Sequence, residues 1–487
     1  MIMHVFKSVT NQGRQVSTIP HGSAMSKFLN CICRYSWMFA SMLLVSVVTV
    51  SCSLNVPPPD QYSDPDAVKD VSSARAFLAS CYISFPHYDY DLSVMGNDFC
   101  PTSLAGKDVN ELNVYNWSNK DLTTLATGMW QDYYTCISNC DVLLDRQGMI
   151  VTATPDEVKK KNAVLAEVKT LKAMCYFDLL RLFATRYDDN SSADGVVIKN
   201  EFGFEVNKRS SKQETVAYIE KLLAQALTTD NYPSANGWLS RYAVQYMLAE
   251  VNLYKGDYEA TALYADSLID VCQDDMLGPT AYQRLWKNDS FDGRIFAFNT
   301  KSSFYTSIQY DEKEGDYYAL SPQIVFSATD CRRQSSVYTM QMKGLERRLL
   351  GKYNMMNKQG LQPAYINRMR YAGAYYMAAE AYARLGNTEK ALSRINHYLR
   401  LVGADELSSS LIGDDLISAI LHEKAKEYVG EGCNWFMLKR TRQSLPRFTT
   451  WGIATSSIIN ATDYRWTLPL PMSEYKYNDK VQQNQGW

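Results

Sequence analysis

The chain has 487 residues, with 50 lysine or arginine side chains against 52 aspartate or glutamate side chains, and a formal net charge of −2. This balance, without a concentrated basic stretch, excludes nucleic acid as an expected partner, because binding to phosphate backbones requires a basic surface. Aromatic residues make up 12% of the chain, and the 34 tyrosines outnumber the 17 phenylalanines. A tyrosine ring packs against carbon while its hydroxyl faces water or a ligand, so the composition suits both a helical-repeat core and glycan binding.

The first predicted element is an export signal. Residues 37–50 form an apolar run of 14 residues, which is shorter than the ~20 residues that a membrane-spanning helix needs. The run leads into Ser51 and Cys52, a pattern typical of bacterial lipoprotein processing, in which the cysteine becomes the lipidated N-terminus. We expect residues 1–51 to be the signal-peptide region, with translation starting at Met25. Residues 52–70 are expected to be the lipidated cysteine with a proline-rich tether.

Helical periodicity dominates the chain beyond the tether. Residues 73–82 form a first amphipathic pattern, and a loop-rich, aromatic stretch follows from residue 85 to about 119. The helical pattern resumes at 130–139 and continues in a long helix predicted over 159–183. These elements belong to a predicted N-terminal helical region at 71–235.

Two later segments repeat one another. Residues 249–259 and 379–389 each contain Ala-Glu, a glycine seven residues after that alanine, and an acidic residue three positions further on. Small residues let two helices approach closely, and the glycine ends the first helix, so each copy predicts a helical hairpin of the tetratricopeptide kind. We assign the first hairpin to residues 236–273.

An irregular insertion separates these two copies. Residues 274–350 combine short strand-like pieces, such as 294–299, with polar loops. Long insertions between rigid helical units are common places for binding surfaces. The remaining region, 351–487, contains the most distinctive motifs in the chain.

Those motifs follow one another in a fixed order. Residues 427–432 read E-Y-V-G-E-G, residues 434–440 read N-W-F-M-L-K-R, and the chain ends on Q-N-Q-G-W at 483–487. Upstream, Trp130 opens a W…Y..I..N helix, and residues 167–181 resemble an E…LRA..YFDL.R helix. In this order, the motifs closely resemble the SusD/RagB family of nutrient-binding outer-membrane lipoproteins.

The resemblance implies a mainly α fold, with a tetratricopeptide-like scaffold, long irregular loops and few short strands. It also implies a lid on a SusC-like TonB-dependent transporter that captures oligosaccharides, or in some members peptides. The hallmark residues are expected to be structural; they are Glu427, Gly430, Trp435, Arg440, Gln483 and Asn484. The chain departs from the family pattern at Met437, where Asp is usual, and at Asn434, where Arg is common.

No motif in the sequence predicts catalysis. His422-Glu423 lacks the second histidine of a zinc protease, and neither a phosphate-binding loop nor a dinucleotide fingerprint is present. The scattered cysteines form no metal-binding framework, so we expect most of them to be buried apolar residues, and we expect no metal or cofactor. We therefore expect a binding protein and not an enzyme.

Glycan binding requires an aromatic platform beside amide, carboxylate or guanidinium groups. Candidates from predicted loops are Tyr88, Tyr90, Asn97, Asp98, Trp117, Trp286, Tyr305 and Tyr310, with Tyr317 and Tyr318 nearby. Each of these residues has core packing as its alternative role. Peptide cargo, or a tetratricopeptide scaffold that binds proteins, remains the alternative function, with an unrecognised hydrolase as a third.

Overall fold

The protein is described by a computed structural model over residues 68–105, 109–199, 206–228, 237–299, 317–342, 344–354, 363–476 and 478–487. The predicted signal peptide, Cys52 and most of the tether lie outside these ranges. Tyr305 and Tyr310 also lie outside them. Within the described residues, no helix is long and apolar enough to cross a membrane.

Three N-terminal helices pack against one another. They are α1 at Val71–Ile83, α4 at Asn119–Asp145 and α5 at Pro155–Phe183. Asp70 and Ser73 form a capping box before α1, and Thr154 and Glu157 form one before α5, so backbone N–H groups at both helix starts are satisfied. The helices predicted at 73–82, 130–139 and 159–183 are thus confirmed.

The stretch from 85 to 119 is more ordered than its composition predicts. It contains α2 at Asp89–Met95, β1 at Phe99–Pro101 and α3 at Val109–Tyr115. Asp89 and Asp91 lie in the first turn of α2, where carboxylates interact favourably with the helix dipole. The prediction of a loop was therefore wrong over these elements, because helices of seven residues show too little periodicity to be recognised.

The repeated segments form two helical hairpins. The first pairs α7 at Arg241–Lys255 with α8 at Tyr258–Ile269, after α6 at Lys212–Leu227. Gly256, with φ +86°, ends α7 in the left-handed conformation that glycine adopts without steric strain. The prediction of a glycine-terminated hairpin at this place is confirmed.

The second hairpin pairs α11 at Tyr371–Arg384 with α12 at Thr388–Leu401, and Gly386 takes the same backbone conformation with φ +76°. Although the insertion separates the two hairpins in sequence, α8 packs directly against α11. Asp266 of α8 accepts a hydrogen bond from Tyr382 Oη at 2.6 Å and one from Arg394 Nε at 2.8 Å. The helical array is therefore interrupted in sequence but continuous in space.

The insertion contributes short elements that pair over long distances. Its elements are α9 at Pro279–Arg284, β2 at Arg294–Asn299, β3 at Tyr318–Leu320, α10 at Arg332–Ser336, β4 at Val337–Met342 and β5 at Leu345–Leu350. The predicted strand at 294–299 is confirmed, and its partner is β6 at Tyr365–Arg370. The pairs β1–β3, β2–β6 and β4–β5 are antiparallel and two-stranded, and a fourth described pair, Leu445–Phe448 with Thr455–Ile459, has the same arrangement.

The C-terminal region completes the same compact unit, which spans residues 64–487. Its elements are α13 at Gly413–Glu427, α14 at Cys433–Arg440, β7 at Leu445–Phe448, β8 at Thr455–Ile459 and α15 at Met472–Lys476. The predicted boundaries at 235, 273 and 350 remain predictions about regions within this unit.

Candidate functional site

The C-terminal motifs build a buried network of charges. Glu427, at the end of α13, is fully buried and accepts hydrogen bonds from Arg370 Nη1 at 2.5 Å and Tyr398 Oη at 2.7 Å. Burial alone would raise the pKa of Glu427, but Arg370 and Arg332 outweigh it and hold that pKa below its ordinary value. This network holds α10, α11, α12 and α13 together and leaves no face of Glu427 for a ligand.

Gly430 and Asp98 connect this network to the N-terminal half. The Gly430 N–H donates to Asp98 Oδ2 at 2.8 Å, and Asn434 Nδ2 donates to Asp98 Oδ1 at 2.6 Å. Asp98 is fully buried, and its burial raises its pKa to about 6. The structure therefore gives Asp98, a predicted ligand contact, a structural position, and it pairs Asp98 with the asparagine that replaces the family's common arginine.

The other hallmark residues also make internal contacts. Trp435 is fully buried, and Arg440 forms a bidentate pair with Glu380 at 2.8 and 2.7 Å. Gln483 Oε1 accepts from the Leu470 N–H at 2.7 Å. Asn484 Nδ2 donates to backbone carbonyls of Phe183 and Leu468, so the tail is attached to the end of α5.

Several predicted ligand contacts lie in the core. Trp117 has no exposed surface, its indole N–H donates to Met95 O at 3.0 Å, and its ring packs edge-on against Trp466. Trp286 is buried beneath Lys352 Nζ, which lies 4.7 Å from its ring centroid. Tyr90 and Tyr318 are buried as well. In this structure these side chains pack inside the protein and present no face to solvent.

Two predicted contacts remain partly exposed. Tyr88 donates its hydroxyl hydrogen bond to Asp132 Oδ2 at 2.5 Å, and Asn97 precedes β1. Tyr305 and Tyr310 lie outside the described residues, in the segment that precedes Tyr317. Tyr317 itself is partly exposed, and its carbonyl accepts from the Thr102 N–H beside the β1–β3 pair. The structure thus brings Tyr317 to one small sheet and leaves Tyr88 on the helical side.

A second, separate apolar cluster lies under three of the strand pairs. Its buried members are Cys100, Ala319, Met340, Leu349 and Phe448, contributed by β1, β3, β4, β5 and β7. Tyr338 and Trp451 are partly exposed and pack on its outer side. We call the surface formed by Tyr338, Arg347 and Trp451 the ligand face.

Trp451 is the central residue of the ligand face. It lies in the turn between β7 and β8 with φ +63°, a backbone conformation that bulky residues rarely adopt and that costs roughly 1–3 kcal/mol. The Arg347 guanidinium lies over its ring, with Cζ 4.4 Å from the centroid. A planar ring beside guanidinium N–H groups offers stacking for the C–H face of a sugar and donors for its hydroxyls.

The neighbouring arginine fixes the hairpin that carries Arg347. Arg348 Nη1 donates to Ile324 O at 3.0 Å, and Arg348 Nη2 donates to Ser321 O at 3.4 Å. These contacts attach β5 to the loop after β3. The sequence candidates did not include Trp451 or Arg347, and the available signal was a Trp-Gly pair within a polar turn at 449–457.

Comparisons with known proteins agree with one another. Residues 278–487 match the model of the SusD family. SusD-like protein P38 of Formosa agariphila is 21% identical to the chain, and the alignment covers 94% of this chain and 99% of the relative.

Solved structures share the fold at low sequence identity. A SusD superfamily protein from Bacteroides thetaiotaomicron is 22% identical, with a TM-score of 0.72 over 85% of this chain and 99% of its own. A SusD-like carbohydrate binding protein from Bacteroides vulgatus is 17% identical, with a TM-score of 0.69 over 85% of this chain and 97% of its own. The match to the SusD family model therefore covers the C-terminal region, residues 278–487, and the chain as a whole is similar to SusD-like proteins in sequence and in fold.

Proposed function

We propose that this chain is a nutrient-binding lipoprotein that captures an oligosaccharide on the ligand face and delivers it to a SusC-like TonB-dependent transporter. The observation that carries the proposal is the Trp451–Arg347 pair, which is held at the surface on strained backbone. A fold maintains such strain where surrounding contacts require it, and these positions cluster at functional sites. Relatives described as carbohydrate binding support sugar as the ligand.

In the proposed mechanism the ligand face and the nearby loops bind the sugar without changing it. The ring of Trp451 covers an apolar sugar face, and the guanidinium of Arg347 donates to hydroxyls. Tyr88, Asn97, Tyr305 and Tyr310 remain proposed contacts for further sugar residues. The matched relatives reported above are not described as enzymes, and we propose no reaction.

The proposed location is the outer membrane, with the protein attached through lipid on Cys52 and facing the outside of the cell. The apolar leader followed by Ser51-Cys52 supports this address. Substitution of Cys52 by Ala should move the protein from the membrane fraction to the soluble fraction. Retention of the variant in membranes after a high-salt wash would contradict lipid anchoring at this residue.

The test of ligand binding compares two tryptophans whose rings each lie against an arginine guanidinium. Trp451 lies beneath Arg347, whereas Trp238 lies beneath Arg75 at 4.9 Å and packs against the main core, not against the cluster under the ligand face. On a combined glycan and peptide array, Trp451→Ala should lose binding of the captured glycan by at least tenfold. The matched control, Trp238→Ala, should retain it.

The same array separates the alternatives. Binding of peptides alone would favour peptide cargo. If no glycan or peptide binds, and affinity purification from cells recovers only soluble proteins, the chain acts as a protein-binding scaffold. Co-purification of a large β-barrel transporter is the result expected from the proposed function.

A further inference from the structure

A cavity of about 180 Å³ lies where the end of α5 meets α7, α11, α13 and α14. It shares no residue with the ligand face. Pockets that enclose a drug-sized ligand have volumes of roughly 300–1,000 Å³, so this cavity fits a single terminal group and not an extended chain. We call it the basic cavity.

Basic side chains outnumber acidic ones in the lining of the cavity. Eight lysine or arginine side chains line the cavity, against two carboxylates, Asp188 and Glu250. Six of the eight cations are ion-paired, for example Lys255 with Glu220 at 2.7 Å. Two of the six, Arg384 and Arg440, share the one carboxylate of Glu380. Lys255 and Arg442, however, each pair with two carboxylates, so the six paired cations are balanced by six carboxylates in all. The charged side chains of the lining that remain outside these ion pairs are Lys424, Lys439 and Glu250.

Two lysines of the lining have no carboxylate partner among the described residues. Lys439 Nζ donates to the carbonyls of Arg181 and Ala184, so it caps the end of α5 and has a structural role. The ammonium group of Lys424 has neither a hydrogen bond nor an ion pair with a described residue. Burial lowers the pKa of Lys424, and this effect outweighs the opposing influence of the Glu380 and Glu250 carboxylates. Lys424 is thus the cation available to a ligand.

The walls and the rim of the cavity are fixed before any ligand binds. The Arg181 guanidinium is held between the rings of Phe177 and Phe436, with Cζ 4.1 and 3.9 Å from their centroids. At the rim, Arg442 has φ +54° and pairs with Asp188 and Asp189. The side chains of Arg442 and Asp188 are 45% and 56% exposed, so the cavity opens to solvent at this edge.

Glu250 limits which anion fits. Its carboxylate has no hydrogen-bond donor among the described residues, although it lines the same cavity as Lys424. A bare inorganic anion would be repelled by this carboxylate and would offer it no donor. A group that carries both a carboxylate and hydroxyls satisfies both residues, because the carboxylate pairs with Lys424 and the hydroxyls donate to Glu250.

We propose that the basic cavity binds the terminal uronate of an acidic saccharide, with the sugar carboxylate at Lys424 and its hydroxyls at Glu250. This is a second binding site, independent of the ligand face. This site gives the protein a preference for saccharides that end in an anionic sugar.

Calorimetric titration of the protein with D-glucuronate and D-galacturonate tests this site. Both uronates should bind at least tenfold more tightly than D-glucose or D-galactose, and higher salt should weaken them. Lys424→Gln should reduce uronate affinity about ten- to a hundredfold, as expected for the loss of a charge-assisted hydrogen bond. Lys160→Gln changes an exposed lysine of α5 outside the cavity and should leave the affinity unchanged.

A second variant adds a negative charge without removing a lysine. Met437 lines the cavity, so Met437→Asp places a carboxylate in the lining and should lose uronate binding. Circular dichroism of this variant checks that it folds. In the unmodified protein, the methyl NMR signals of Met377 and Met437, both in the lining, should shift as uronate is added.

Three results would overturn the inference. One is equal affinity for uronate and neutral hexose, and another is uronate binding that leaves both methionine signals unmoved. The third is binding of sodium sulfate as tight as that of uronate, since this would indicate an unspecific anion site. Trp451→Ala should leave uronate binding in the cavity intact, so failure at this site and failure of the proposed function are distinguishable.

Discussion

Two tryptophans show how differently this molecule uses the same local feature. Trp117 and Trp451 both lie in left-handed backbone, with φ +55° and +63°. Trp117 is fully buried, bonded to Met95 O and packed on Trp466, so tertiary contacts offset its strain. Trp451 is partly exposed beneath Arg347, in a small cluster apart from the main core. Backbone strain therefore indicates a candidate binding position only where contacts with the core do not already offset the strain.

The largest expected effect is a difference in stability between variants of these two tryptophans. Trp117→Ala should lower the free energy of unfolding by about 3–5 kcal/mol, because it removes a large buried side chain and leaves a cavity. Trp451→Ala should change that free energy by less than about 1 kcal/mol, since little buried surface is lost and alanine keeps the Cβ that strains the left-handed backbone. Urea unfolding followed by circular dichroism measures both values. Equal losses would mean that Trp451 is a core residue and would remove the main support for the ligand face.

A second matched pair compares carboxylates of different burial. Glu380 is buried between Arg440 and Arg384, whereas Glu406 pairs with Arg400 at the surface, where the two side chains are 46% and 54% exposed. Burial alone would raise the pKa of Glu380, but the two arginines outweigh it and lower that pKa from 4.5 to about 2. At 1.36 kcal/mol per pKa unit, this corresponds to about 3 kcal/mol of stability.

The sign of this contribution determines its pH dependence. Above pH 4.5 the carboxylate is ionised in both folded and unfolded states, and the full contribution is present. As the pH falls from 4.5 towards 2, the unfolded state takes up the proton first and the contribution is lost. Glu380→Gln should therefore be less stable than the unmodified protein at pH 5.5, and the difference should shrink by about 1 kcal/mol between pH 4.5 and 3.5.

Urea unfolding at pH 5.5, 4.5 and 3.5 checks this expectation. Glu406→Gln should stay within about 1 kcal/mol of the unmodified protein throughout, because exposed ion pairs contribute little. A gap between Glu380→Gln and the unmodified protein that stays constant down to pH 3.5 would show that ionisation of Glu380 does not supply its stability.

Features that depend on local sequence were predicted, whereas features that depend on contacts between distant residues were not. The longest periodic helix was predicted within a few residues of its bounds, at 159–183 against Pro155–Phe183, because its signal is local. Only the central part of α4, 130–139 of Asn119–Asp145, was predicted. The partners of Asp98 lie more than 330 residues away, at Gly430 and Asn434, so no local pattern reveals that this loop carboxylate is buried. An aspartate beside tyrosines therefore resembled a ligand residue.

The ligand face was missed for a related physical reason. Arg347 and Trp451 come together only because the β4–β5 and β7–β8 hairpins pack on one shared apolar cluster. Their proximity is a property of tertiary packing between hairpins distant in sequence. Family resemblance could not supply it either, since the hallmark residues are internal and mark the scaffold.

The smallest expected effect uses two glycines with nearly the same backbone angle. Gly430 has φ +77° and Gly386 has φ +76°. A Cβ at Gly430 would lie 2.6 Å from Leu350 Cδ2, whereas a Cβ at Gly386 would meet open space. Alanine in left-handed backbone costs roughly 1–2 kcal/mol at either position, and the contact with Leu350 adds to that cost only at Gly430.

Gly430→Ala should therefore destabilise the protein by about 1–3 kcal/mol more than Gly386→Ala, as measured by urea unfolding of the two variants side by side. Leu350→Ala provides the control, because in that background the Leu350 methyl groups are gone and the two glycine substitutions should cost nearly the same. If Gly430→Ala and Gly386→Ala are equally costly with Leu350 present, the backbone angle alone explains the glycine in the family motif. In that case the close approach between the motif and β5 contributes nothing to its selection.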